Sequence, residues 1–183
     1  MAADSDEQLK RELIDEMGAE IVSNRGEEIY LRIFPDGSNE DQLAWSVGGL
    51  TFQHGTLSFG SNDAAYYVLK DGVEIPIMAL ELTDALNRGS SGNAQYQRFH
   101  HALGAVRNGV IGVYYLKKGL KPVQPDLYKM ALSAWEIHDT PYIISQDLAE
   151  IKTLLELWGC GRKFEEQLEL IRYNMQTIHD EAF

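Results

Sequence analysis

The sequence predicts a single mixed α/β domain, on three observations. Alternating or continuous apolar runs of strand length are interleaved with stretches whose apolar residues recur at helical spacing. Gly, Pro, Asn and Asp collect at the junctions between these runs. The 183 residues suit one core, and a hydrophobic fraction of 44% with 10% aromatics is that of a globular chain. No internal repeat, low-complexity tract or linker divides it.

The elements follow in order. Leu9, Leu13, Met17 and Ile21 recur every four residues, predicting a helix over about Ser5–Val22 that Ser5 or Asp6 could cap and Gly18 would weaken. Beside that stripe runs an acidic row, Glu12, Glu16 and Glu20. EIYLRIF (Glu28–Phe34) alternates and stops at Pro35-Asp36-Gly37, so it reads as a strand. Leu43–Phe59 holds one or two short strands. AAYYVL and VEIPIMALELT flank Lys70-Asp71-Gly72, a hairpin signal, and Pro76 puts the start of the second run at an edge or a bulge. Asn93–Arg107 carries Tyr96, Phe99, Leu103 and Val106 on one helical face, and Asn108-Gly109 ends it. VIGVYYL (Val110–Leu116) reads as a buried strand. A helix over Asp126–His138, with Pro125 before it and Asp126 as its cap, precedes a short strand at Pro141–Ser145. Two helices, Asp147–Trp158 and about Lys163–His179, close the chain.

Charge is distributed unevenly. The net charge is −12, yet none of the 28 acidic residues lies between Ala85 and Pro125, which holds six of the 16 basic ones. Such asymmetry can focus positive potential on one face of an otherwise anionic protein, although a solvated surface could cluster charge by chance. No apolar run approaches the ~20 residues a spanning helix needs. The acidic, polar start does not read as a signal or transit peptide, so the expectation is a cytoplasmic protein without a membrane span. Cys160 stands alone, which excludes an internal disulfide and CxxC metal patterns.

Chemistry is suggested at one place. In Val73–Thr83 the side-chain period of two puts Ile77, Ala79, Glu81 and Thr83 on one face. Glu81 ends the apolar run IPIMAL, where a carboxylate is costly to bury unless paired or metal-bound. The hairpin returns Ser61-Asn62-Asp63 to the same end. Two converging carboxylates suit a hard cation such as Mg²⁺. The plainer readings are a turn residue at Asp63 and an exposed strand end at Glu81–Thr83. Arg98 could snorkel along its helix. Gly89–Asn93 enters a helix and could receive a phosphate on its N–H groups, or be a flexible turn. His100 and His101 differ by about 100° around a helix, so they cannot both face one metal.

Asn62-Asp63, a 17-residue interval, Glu81-Leu82-Thr83, and a following helix with Gln95 and Arg98 resemble the PD-(D/E)XK nuclease superfamily, best known from type II restriction endonucleases. The resemblance covers about residues 5–118. It implies a restriction-endonuclease-like core, a mixed central sheet flanked by helices, with a C-terminal α/β extension over about 122–183 that ends in additional helices. The family's Lys is replaced by Thr83, and its Pro by Asn62. The implied activity is Mg²⁺-dependent hydrolysis of DNA, restriction-type or as the cleavage subunit of such an enzyme. Asp63, Glu81 and the Leu82 carbonyl would hold Mg²⁺. Thr83, Gln95 and Arg98 are the further catalytic candidates, Arg98 or Gln95 supplying what the missing Lys does not, and Glu16 is a weaker candidate from the first helix. Arg88, Ser90, Ser91, Asn93, Arg98, His101, Lys117 and Lys118 would face DNA. The alternative is a non-catalytic subunit of the same fold, with a second copy or a partner docking through the C-terminal helices, where a charge at Ile171 would disrupt association.

Overall fold

The computed structural model describes residues 3–34, 50–54, 57–83, 91–117 and 123–182. Among them are helix α1 (Ala3–Met17) and strands β1 (Glu20–Val22), β2 (Glu28–Ile33), β3 (Leu50–His54), β4 (Leu57–Asn62), β5 (Ala64–Lys70) and β6 (Val73–Thr83). Helix α2 (Ser91–Arg107), β7 (Ile111–Leu116), α3 (Pro125–His138), β8 (Tyr142–Ser145), α4 (Leu148–Glu156) and α5 (Arg162–Ala182) follow. The expected α/β class is the observed one. A six-stranded mixed sheet has the order β1-β2-β5-β6-β7-β8, and β3-β4 form a separate pair. Pairing is antiparallel from β1 to β6 and parallel from β6 to β8.

The sheet changes character at β6, and the sequence shows why. Asp71 (φ 52°) and Gly72 (φ 76°) make the tight turn that joins β5 to β6 antiparallel. After β6 the chain must cross over to reach β7, and α2 provides that crossing. Pro76 lies opposite Tyr67, where the β5–β6 register shifts, while pairing with β7 starts only at Met78. Its missing N–H therefore falls where β6 is still an edge.

Two helical layers sandwich the sheet. Helix α2 packs on the face bearing Ala79 and Glu81, with α3 beside it, while α1 and α4 pack together. The approach of α2 is close: a Cβ on Gly112 of β7 would stand 2.5 Å from the Ala102 carbonyl oxygen and 2.8 Å from Val106 Cγ2. Buried tyrosines fix its height. Tyr114 donates to the Gln95 carbonyl at 2.8 Å, and Tyr142 donates to the Phe99 carbonyl at 2.7 Å.

Three expectations change in detail. The first helix stops at Met17, before Gly18 (φ 90°), and Ile21 belongs to strand β1 instead of a fifth helical turn. Asp126 lies inside the first turn of α3. Gln124 occupies the N-cap, with Pro125 at the position that lacks a hydrogen-bond acceptor anyway. Asp147, by contrast, caps α4, its side chain accepting from the Ala149 N–H at 2.9 Å. On α5, Leu168, Ile171 and Met175 are buried within the chain's own core, Ile171 at 1% exposure, so a charge there strikes folding first. No helix among the described residues is long and apolar enough to cross a membrane.

Candidate functional site

The end of β6 gathers the chemistry. Asp63 sits between β4 and β5, and its backbone is tied in on both sides: its N–H donates to the Leu80 carbonyl at 3.0 Å and its carbonyl accepts from Phe34 at 2.9 Å. Its Oδ2 accepts from the Leu82 N–H at 2.8 Å, extending the β5–β6 ladder with a side chain. Glu81 is 1% exposed. Alternation along β6 turns it towards α2, where Arg98 Nη1 meets Oε1 at 3.2 Å and His101 Nδ1 meets Oε2 at 2.8 Å. One turn further along α2, Ala105 packs on Ala79, the small residue that lets the helix descend.

Burial, and then the charge of Glu81, push Asp63 up to about 7, against the Leu82 N–H, Arg98 and Lys10, which pull it down. For His101, burial opposes the charged form, but the hydrogen bond to Glu81 and the charge of that carboxylate prevail and hold the imidazole above its ordinary value. Glu81 is thus held between a guanidinium and an imidazole, while Asp63 lies within reach of its field.

Several predicted residues are placed around this pair. Arg98 Nη1 also donates to the Leu82 carbonyl oxygen at 3.2 Å, so one guanidinium nitrogen bridges two of the three groups expected to hold a metal. Gln95 is buried, its Oε1 accepting from the Gln124 N–H at 3.0 Å. Thr83 is buried at the end of β6, and its carbonyl accepts from Lys117 at 2.9 Å. Lys117 Nζ pairs with Glu12 Oε1 at 2.5 Å. Three of the groups expected to face DNA, Arg98, His101 and Lys117, therefore bond to the chain's own carboxylates. Their positive charge is locally offset. Glu16 lies beside Tyr115 with Glu12 and Lys117, lining a cleft of about 390 Å³. Ser91 and Asn93 fall in the first turn of α2. Arg88, Ser90 and Lys118 lie outside the described residues.

Two neighbours of Asp63 were not among the expected site residues. Lys10 of α1, 4% exposed, donates from Nζ to the Phe34 carbonyl at 2.9 Å and acts on the Asp63 charge. A signal for it existed, since Lys10, Leu13 and Met17 share the i, i+3, i+7 stripe that buries α1. Asn62 is 2% exposed, yet neither its Oδ1 nor its Nδ2 has a hydrogen-bond partner among the described residues. Each unmet group of this kind costs on the order of 1–3 kcal/mol, so a water, ion or ligand that meets them is favoured.

The donor set can be tested against Mg²⁺. Asp63, Glu81 and the Leu82 carbonyl are hard oxygen donors, and Mg²⁺ commonly takes one or two carboxylates and fills its shell with water and phosphate. The orphan amide of Asn62, next to Asp63, suits such a hydrated shell. Among the described residues no group of three or more His, Cys, Asp or Glu could hold a metal. The donors fit in kind and number for a two-carboxylate site, on condition that Arg98 yields Glu81 Oε1 and the Leu82 carbonyl. Comparison of the chain with known protein families, with curated proteins and with solved structures gives no match.

Proposed function

We propose that this chain is a Mg²⁺-dependent DNA endonuclease of the PD-(D/E)XK type, acting alone or as the cleavage subunit of a larger enzyme. The observation that carries the reading is the buried Glu81 carboxylate. It stands at the carboxyl end of the strand where the sheet turns from antiparallel to parallel, with Asp63 hydrogen-bonded to the next residue of that strand. The succession α1, β5–β6 hairpin, α2, β7 supports it, because it is the order that the resembled superfamily uses.

In this reading Asp63, Glu81 and the Leu82 carbonyl hold the cation. When bound, Mg²⁺ supplies an activated water and offsets charge that grows on the phosphoryl oxygens. The residues of the chain do the rest. Arg98 offers a guanidinium to a phosphate oxygen, the geometry for which that group is suited. His101 keeps Glu81 oriented. The charge of Lys10 steadies the Asp63 carboxylate in place of the family's Lys, which Thr83 replaces here.

Supercoiled plasmid incubated with the protein tests this directly. Nicking or cutting is expected with Mg²⁺ and not with chelator, and Glu81→Ala should abolish it while DNA binding at low salt persists. A second reading has its own support in the Arg98 bridge: a non-catalytic subunit whose guanidinium permanently replaces the metal. Absence of cleavage with Mg²⁺ or Mn²⁺ on varied DNA, unaltered by Arg98→Gln, favours that subunit.

A further inference from the structure

Arg98 holds two oxygens with one nitrogen. Its Nη1 lies 3.2 Å from Glu81 Oε1 and 3.2 Å from the Leu82 carbonyl oxygen. A hard cation bonds oxygen at about 2.0–2.6 Å, well inside that separation, so a cation entering between these two oxygens meets the guanidinium that already bridges them. Their positive charges also repel at such range in a poorly solvated site. Withdrawal of the guanidinium therefore favours entry of the cation.

The two sides of the ion pair differ in freedom. The Glu81 side chain is 1% exposed and the Arg98 side chain 35%. The carboxylate is further anchored through its other oxygen, Oε2, by His101 at 2.8 Å. Release of Arg98 therefore leaves Glu81 oriented, and the guanidinium can turn outward. Its five N–H donors fit the oxygens of a phosphodiester as well as those of a carboxylate.

We infer that Arg98 is a phosphate-operated latch: it closes the metal position until a phosphodiester draws the guanidinium away from Glu81 and Leu82. The inference rests on the metal reading above and concerns its control. Without nucleic acid the site holds its carboxylate neutralised and refuses divalent cations. With a phosphodiester present, the arginine exchanges one anionic partner for another and the two vacated oxygens face the cation. By linkage each ligand must raise the affinity for the other by the same factor.

Mn²⁺ binding, followed by loss of the free-ion electron paramagnetic resonance signal, tests the latch with no need of turnover. Diethyl phosphate serves as the diester because it carries no base to be recognised. Wild-type protein should bind Mn²⁺ at least about tenfold more tightly with the diester than without it. Arg98→Gln, checked by circular dichroism for folding, should bind Mn²⁺ without diester about as tightly as wild type does with it, and gain less than about twofold on its addition. Arg98→Lys, a shorter cation, guards against misfolding of the Gln variant and should retain part of the coupling. Wild-type binding that neither diester nor Arg98→Gln changes overturns the latch and leaves the metal reading standing. Failure of every form to bind Mn²⁺ overturns the metal reading and the latch with it.

Discussion

Two carboxylates in this molecule face the same difficulty and meet it differently. Glu81, at the end of β6, is buried against basic side chains, Arg98 at 3.2 Å and His101 at 2.8 Å. Glu150, on the first turn of α4, is half-buried in a cleft of about 370 Å³ with Ile171, Met175 and Ile178 among its walls. Its partners are neutral: Ser145 Oγ donates at 3.1 Å, and Asn174 bonds it as well. Burial raises the Glu150 pKa, Ser145 and Asn174 lower it only in part, and the nearby Asp147 charge adds to the rise. The contrast teaches that burial alone does not single out a reactive carboxylate. What separates Glu81 is that the fold commits basic side chains to both of its oxygens, one of them from a position open to solvent.

The largest expected effect comes from placing a charge in the Glu150 cleft without any compensation. Ile171 is fully packed between α5 and the core, so Ile171→Asp should cost more than about 4 kcal/mol and leave little folded protein. Urea denaturation followed by circular dichroism measures it. A soluble, folded Ile171→Asp protein would show that this face is less tightly joined to the core than the burial indicates.

Next comes the charge cluster itself, and the order of losses is informative. Arg98→Met with His101→Leu leaves Glu81 buried without its two partners, which should cost on the order of 3–5 kcal/mol. Glu81→Gln should cost less, about 1–2 kcal/mol, because Arg98 and His101 are partly exposed and can regain water. The reverse order in denaturation would mean that the pairs stabilise the fold more than the carboxylate burdens it. Tyr142→Phe, which deletes one buried hydrogen bond to the Phe99 carbonyl of α2, should cost about 1 kcal/mol. It should slow plasmid nicking by more than that loss alone suggests, since α2 carries Arg98 and His101.

Most of the framework was legible because local signals agreed with one another. The Asp71-Gly72 turn, the apolar run of β7 and the stripe of α5 each coincide with an observed element. Period two along β6 also put Ala79 and Glu81 on one face, which is the face that α2 covers. The losses arise where the residue's partner is distant in sequence. His101 pairs with Glu81, and Lys117 with Glu12, so charges that look free along the chain are spent within it. The Arg98, His101, Ala105 spacing of i, i+3, i+7 was the available sign that a polar stripe faces a strand. Ile21 was misplaced because period four continues by coincidence past Gly18 into β1. Asn62 stood out in the sequence only as the residue in place of the family's Pro, since its orphaned amide is a property of burial and not of sequence.

The smallest effect sharpens the comparison most economically. If Glu150 is strained by its surroundings whereas Glu81 is sustained by them, then a neutral isostere should help at 150 and harm at 81. Glu150→Gln keeps an oxygen for the Ser145 hydroxyl and removes a charge that neutral donors only partly offset. The folded-state pKa of Glu150 lies above its unfolded value of 4.5. The protonated carboxyl therefore stabilises the fold fully below about pH 4.5, and that contribution is lost as pH rises through the folded value. The Gln variant does not titrate, so it should match the wild type at low pH and exceed it near neutrality, by less than about 1 kcal/mol because solvent screens a half-exposed group. Thermal unfolding at a series of pH values measures the difference. A Gln variant less stable than wild type at pH 7 would place Glu150 with Glu81, among the carboxylates that their hydrogen-bond partners sustain.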